Sequence, residues 1–189
     1  MIPLYITFRL IRWLDTFKPL VIDVTTLGSL PARRLFCSKR VQINPDVNEE
    51  ALDNNLEEII IKGILICPEG LKEAISKRCN MLETRAVFYE GELWLVEDEL
   101  NLVPSRFDYL EGKATLIVLG ELTIDPDVEG KVLFEKLAKV HNLGEIHCTP
   151  EQMGALQALL GLKDGEFVYS TKAQIEDENR IGNVGFLKL

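Results

Sequence analysis

Short apolar runs recur along this chain at a nearly constant interval. Triplets rich in aliphatic and aromatic residues centre on Ile43, Leu65 and Phe88, and again on Ile124, Ile146 and Val168. Three of the four steps are 22 residues and one is 23. An interval of about 20–29 residues is the length of one strand plus its return in a stacked repeat. The segments between the triplets carry helix signals. Asp46-Val-Asn-Glu49 reads as a capping box with Asp46 as the N-cap, and Leu52, Leu56 and Ile59 follow at helical spacing. Leu133, Leu137 and Val140 repeat that spacing. Thr149-Pro150-Glu151 supplies an N-cap, a proline at the first helical position and an acid in the first turn. Other connections read as strand, polar corner, strand: Leu35-Phe-Cys37 before Val41, Tyr89-Glu-Gly91 before Glu92, and Thr115-Leu-Ile-Val-Leu119 before Gly120 and Glu121.

Sliding the chain over itself shows a second regularity. A shift of 81 residues lays Val41-Gln-Ile-Asn-Pro-Asp-Val47 on Leu122-Thr-Ile-Asp-Pro-Asp-Val128. The same shift pairs Leu52 with Leu133, Leu56 with Leu137, Ile59 with Val140, Gly63 with Gly144 and Cys67 with Cys148. One inserted residue, Thr149, then brings Pro68-Glu69 onto Pro150-Glu151. Order is kept and gaps are small, as expected of a tandem duplication. The expected fold is an α/β repeat solenoid of short parallel strands with helical crossovers, from a duplicated unit of about 80 residues. It forms a single domain over residues 35–189, with repeats at 35–114 and 115–189. Parallel strands need crossover connections, which the helical segments supply.

Around Leu133-Phe-Glu-Lys-Leu137, Val140, Leu143, Ile146 and Cys148 the chain resembles a leucine-rich repeat. The strand–corner–strand parts are more similar to a β-helix. The leucine-rich resemblance implies a sheet face that binds another protein.

Residues 1–34 align with neither copy. The end of a stacked repeat exposes core, so a cap is expected there. Leu4, Phe8, Ile11, Leu14 and Phe17 would form the apolar side of a capping helix, and Arg9, Arg12 and Lys18 would equally suit docking on a membrane surface or a partner.

Charge sharpens the picture. The formal net charge is −9. Residues 1–40 run against it, with Arg9, Arg12, Lys18, Arg33, Arg34, Lys39 and Arg40 opposing Asp15 and Asp23. The acidic remainder argues against a nucleic-acid surface, since phosphate binding needs a positive field. No run of 18 apolar residues occurs, so no membrane-spanning helix is expected. The N-terminal apolar run is broken by Arg9 and Arg12 and lacks a cleavage-site pattern, which reads as cytoplasmic.

Few residues suggest chemistry. Cys67 and Cys148 hold equivalent places, which fits small buried core residues better than a redox or metal pair. His141, His147 and Cys148 lack the Cys-x-x-Cys companion of a zinc site. Asp46, Asp125 and Asp127, with Glu97, Asp98 and Glu99, would serve calcium or acid–base chemistry; caps and solvated turns explain the same positions. No Gly-x-Ser-x-Gly and no glycine-rich phosphate loop is present. Expected are no catalytic residues, no cofactor and no metal. The candidate binding surface is Tyr89, Trp94, Glu97, Asp98 and Glu99, where aromatics would anchor a partner or fill the core. The leading expectation is a non-catalytic protein-binding or scaffold module whose partner is another protein or a second copy. The alternatives are a β-helix-type carbohydrate-active enzyme with paired carboxylates, and a membrane-peripheral protein docking through residues 1–34.

Overall fold

The computed structural model describes residues 13–170. The chain is mixed α/β, built of many short parallel strands in four sheets with a few short helices. It divides into two compact units, Met1–Phe88 and Tyr89–Leu189.

In the first unit the described chain runs β1 (Trp13–Thr16), β2 (Leu20–Ile22), α1 (Val24–Gly28), β3 (Arg34–Cys37), β4 (Val41–Ile43) and α2 (Glu49–Asn55). It continues through β5 (Glu58–Ile61), β6 (Ile64–Pro68), a 3-10 turn, α3 (Lys72–Ser76) and β7 (Arg85–Tyr89). One sheet has the order β1-β3-β5 and the other β2-β4-β6-β7. From β1 to β6 successive strands therefore alternate between the two sheets, and β7 then joins β6 in the second. Leu35 pairs in register with Leu14 and Ile59, and Val41 with Leu20 and Leu65, all in parallel.

The second unit repeats this plan with β8 (Glu92–Val96), β9 (Glu99–Leu102), a 3-10 helix (Pro104–Phe107), β10 (Ala114–Val118), β11 (Glu121–Ile124) and α4 (Gly130–Lys136). Then come β12 (Leu137–Asn142), β13 (Glu145–Cys148), α5 (Pro150–Ala158), β14 (Leu160–Lys163) and β15 (Glu166–Tyr169). Its sheets have the orders β8-β10-β12-β14 and β9-β11-β13-β15.

Each unit has its own apolar core, filled by alternate residues of both its sheets. Leu35, Cys37, Ile43, Ile59, Ile61 and Leu65 belong to the first, and Leu116, Val118, Leu122, Ile124, Val140 and Ile146 to the second. Burying such a side chain contributes about 1.5–3 kcal/mol, which is what sets the strand register here.

The corners between paired strands are tight. A Cβ on Gly63 would run into the carbonyl of Lys39, and one on Gly144 into that of Gly120. Glycine is needed at both corners for this close backbone approach, not for an unusual dihedral.

The expected triplets all fall in strands, namely β4, β6, β7, β11, β13 and β15. The intervals between them hold more than a strand and a helix. Each of the apolar sets read as helical is split. Leu52 and Leu133 lie on helices, Leu56 and Leu137 are the C-caps with extended backbone, and Ile59 and Val140 lie in strands. The spacing of those residues suits a helix, but β-branched Ile59-Ile60-Ile61 gains more by alternating into a parallel sheet. The N-cap of α2 is Asn48, whose side chain accepts from Ala51 N at 2.8 Å, and not Asp46. Asp46 sits in the preceding turn, where its Oδ2 accepts from Val24 N at 3.1 Å. At α5 the expected cap is present: Thr149 and Gln152 form a reciprocal capping box behind Pro150. The proposed apolar helix near the N-terminus is a strand where it is described. Leu14 lies in β1, and Phe17 sits exposed in the corner before β2. Leu4, Phe8 and Ile11 lie outside the described residues. Among the described residues no helix is long and apolar enough to cross a membrane.

Candidate functional site

The outer face of the sheet β9-β11-β13-β15 carries the most unusual chemistry. Alternation along each strand decides which residues reach it. Leu100, Leu122, Ile146 and Phe167 point to the core, and their neighbours point away. Parallel pairing then sets those neighbours in rows. Glu121 stands opposite Glu99 on one side and Glu145 on the other, and Glu145 stands opposite Glu166. Four carboxylates thus form one ladder, at the strand spacing of about 4.8 Å. Asn101, Thr123, His147 and Val168 form the next row.

Like charges directly opposite on neighbouring strands are destabilising, by up to about 1 kcal/mol per pair. One neighbour lies beside the central pair. His147 places Nε2 2.8 Å from Glu145 Oε1 and 3.3 Å from Glu121 Oε1. Neither oxygen meets hydrogen-bond geometry with that nitrogen. A shallow depression of about 200 Å³ lies at the β9–β11 end, lined by Glu99, Asn101, Glu121 and Thr123. The depression is open to solvent, and the central pair of carboxylates has the His147 imidazole beside it.

The five residues expected as a binding surface separate. Tyr89 closes β7 and is buried, and Trp94 lies in β8, buried in the core of the second unit. The Trp94 indole donates through Nε1 to Glu92 Oε1 at 2.9 Å, and its ring lies 5.3 Å from that of Phe107 at 55°. The Arg106 guanidinium sits 4.6 Å from the indole centroid. These aromatics have inward positions because alternation from the corner puts them there. Glu97 and Asp98 are exposed at the corner between β8 and β9, and Glu99 opens β9 as the first member of the ladder. Glu121, Glu145 and Glu166 were not singled out from the sequence. Their signal was present as steps of 22, 24 and 21 residues from Glu99, visible only when single strands are aligned and not whole 80-residue copies.

The remaining candidates are structural. All four cysteines are free and buried. Burial pushes the Cys148 thiol up to about 11, and burial with Glu69 nearby pushes that of Cys67 up to about 12, so both are held as neutral thiols. His141 is 6% exposed, and burial with Lys139 nearby lowers it to about 4. Its Nδ1 accepts from Leu162 N at 3.1 Å, which leaves the proton of the neutral ring on Nε2. Asp125 Oδ1 accepts from Asp127 N at 2.8 Å in the turn before α4. Among the described residues no group of three or more His, Cys, Asp or Glu is arranged to hold a metal ion.

The chain matches no protein-family model, no curated protein and no solved structure.

Proposed function

We propose that this chain is a non-catalytic protein-binding or scaffold module that offers the acidic face of β9-β11-β13-β15 to a basic partner. The observation that carries the reading is the in-register ladder of Glu99, Glu121, Glu145 and Glu166. Such a row costs stability in the free protein. A partner placing lysines or arginines over it would relieve the repulsion and gain charge-assisted contacts.

We further take the architecture to be a repeat solenoid that arose by tandem duplication, capped or docked through residues 1–34. Equivalent placement supports this. Leu52 and Leu133 are buried on short helices, Gly63 and Gly144 occupy matching corners, and Cys67 and Cys148 end buried strand segments before helices. Matching environments at a constant shift are what copies of one unit retain.

The test is affinity enrichment from an extract of the source cells, comparing the natural chain with one in which the four ladder glutamates are glutamine. Proteins retained by the natural chain, released near 1 M salt where charges are screened beyond about 3 Å, and not retained by the variant support the reading. Glycan cleavage by the natural chain, lost on Glu121→Gln, would transfer the site to the carbohydrate-active alternative.

A further inference from the structure

The second unit holds another surface feature, made of residues separate from the ladder. A groove of about 550 Å³ has Phe107, Val128 and Val132 as its apolar floor and Asp108, Asp127 and Glu129 on its rim. The floor is firm. Phe107 and Val128 are each 3% exposed and belong to the core, and Phe107 is backed by the Trp94 ring. All three rim carboxylates lie on exposed residues. Among the described residues Lys136 is the one cation lining the groove, and its Nζ donates to the Leu110 carbonyl at 3.2 Å. With the rim included, residues 89–170 hold 16 Asp and Glu against six Lys and Arg, so the field around the groove is negative.

We infer that this groove docks a cationic, apolar peptide segment of a partner protein. An anion or a nucleic-acid backbone would meet the rim carboxylates and be repelled. A small neutral ligand finds no enclosure, because Pro104, Asp108, Asp127 and Glu129 along the groove are exposed. A peptide can do both things the lining asks. One or two aliphatic or aromatic side chains cover Pro104 and Val132, the apolar lining residues that reach solvent, above the closed Phe107 and Val128, and flanking lysines or arginines meet Asp108, Asp127 and Glu129. The apolar contact gives the anchor, and the charges set orientation and on-rate.

This inference rests on the reading of the chain as a binding module, but not on the ladder. It is tested on the full chain with a short synthetic peptide alternating Lys with Leu and Phe, and with the same peptide carrying Glu for Lys. Methyl resonances of Val128 and Val132 report on the groove. The basic peptide is expected to shift them saturably and the acidic peptide to leave them unmoved. Asp108→Asn with Glu129→Gln is expected to weaken the basic peptide by about tenfold with the fold unchanged. Groove resonances that stay silent while a partner is still retained through the ladder would sink this inference alone. Peptide shifts that map to Glu121 and Glu145 would also overturn it. So would groove shifts that depend on protein concentration without peptide, which would make a second copy the occupant.

Discussion

Glu121 and Glu145 stand directly opposite each other on neighbouring parallel strands, and the imidazole of His147 lies within 3.3 Å of a carboxylate oxygen of each. The two glutamates are the centre of a four-member row. Strand pairing, which buries Leu122 and Ile146 on the other face, is what forces the carboxylates together.

His141 gives the protein an acid sensitivity. It is lowered in the fold to about 4 from the ordinary imidazole value of 6.5, so between those values the unfolded chain binds the proton and the folded chain does not. Its stabilising contribution is complete above about pH 6.5 and is lost as the pH falls towards 4. The loss amounts to at most about 3 kcal/mol. Urea unfolding from pH 7 to pH 4 should show it. His141→Asn, which keeps an acceptor for Leu162 N, should flatten that part of the profile.

Gly144→Ala should destabilise the second unit by about 1–3 kcal/mol, because the added methyl meets the Gly120 carbonyl and the corner must open. Gly154 lies in α5 with nothing near its would-be Cβ. Gly154→Ala should stabilise by about 0.5–1 kcal/mol. Chemical denaturation of both variants checks the pair, and equal effects would contradict the corner argument.

Trp94→Ala should cost about 3–5 kcal/mol, as it removes the ring under Phe107 and the surface on which Arg106 rests. Trp94→Phe should cost less, since it keeps a ring and gives up the Nε1 bond to Glu92. Unfolding midpoints measured by circular dichroism rank the two. An alanine variant as stable as the natural chain would show that the indole is not a core residue.

Asn48→Ala should cost about 1 kcal/mol through loss of the α2 cap, and Thr149→Ala a similar amount at α5. An unchanged unfolding midpoint in Asn48→Ala would return the cap to Asp46.

Much of this architecture was legible in the residues. The strand triplets at Ile43, Leu65, Ile124 and Ile146, the corner before Glu121 and the α5 cap at Thr149 all follow from local patterns that the packing obeys. The division of the intervals was not legible. Leu52, Leu56 and Ile59 satisfy a helical period while Ile59 and Ile61 satisfy an extended one, and over so few residues only pairing with the neighbouring strand β3 decides between them. The inward turn of Trp94 has the same origin, since a shift of one residue at the Gly91 corner would have exposed it. Gly91 itself takes a positive φ of 68°, which helps to fix that corner. The ladder was hidden because its members lie 22, 24 and 21 residues apart, and only parallel pairing makes neighbours of them.

The most direct measurement replaces Glu99, Glu121, Glu145 and Glu166 with glutamine together and compares unfolding free energy and partner retention with the natural chain at low salt. The account predicts a gain in stability of about 1 kcal/mol as the repulsion goes, together with loss of the retained partner. A variant that is less stable, or that retains its partner unchanged, would contradict the claim that the ladder is kept for binding.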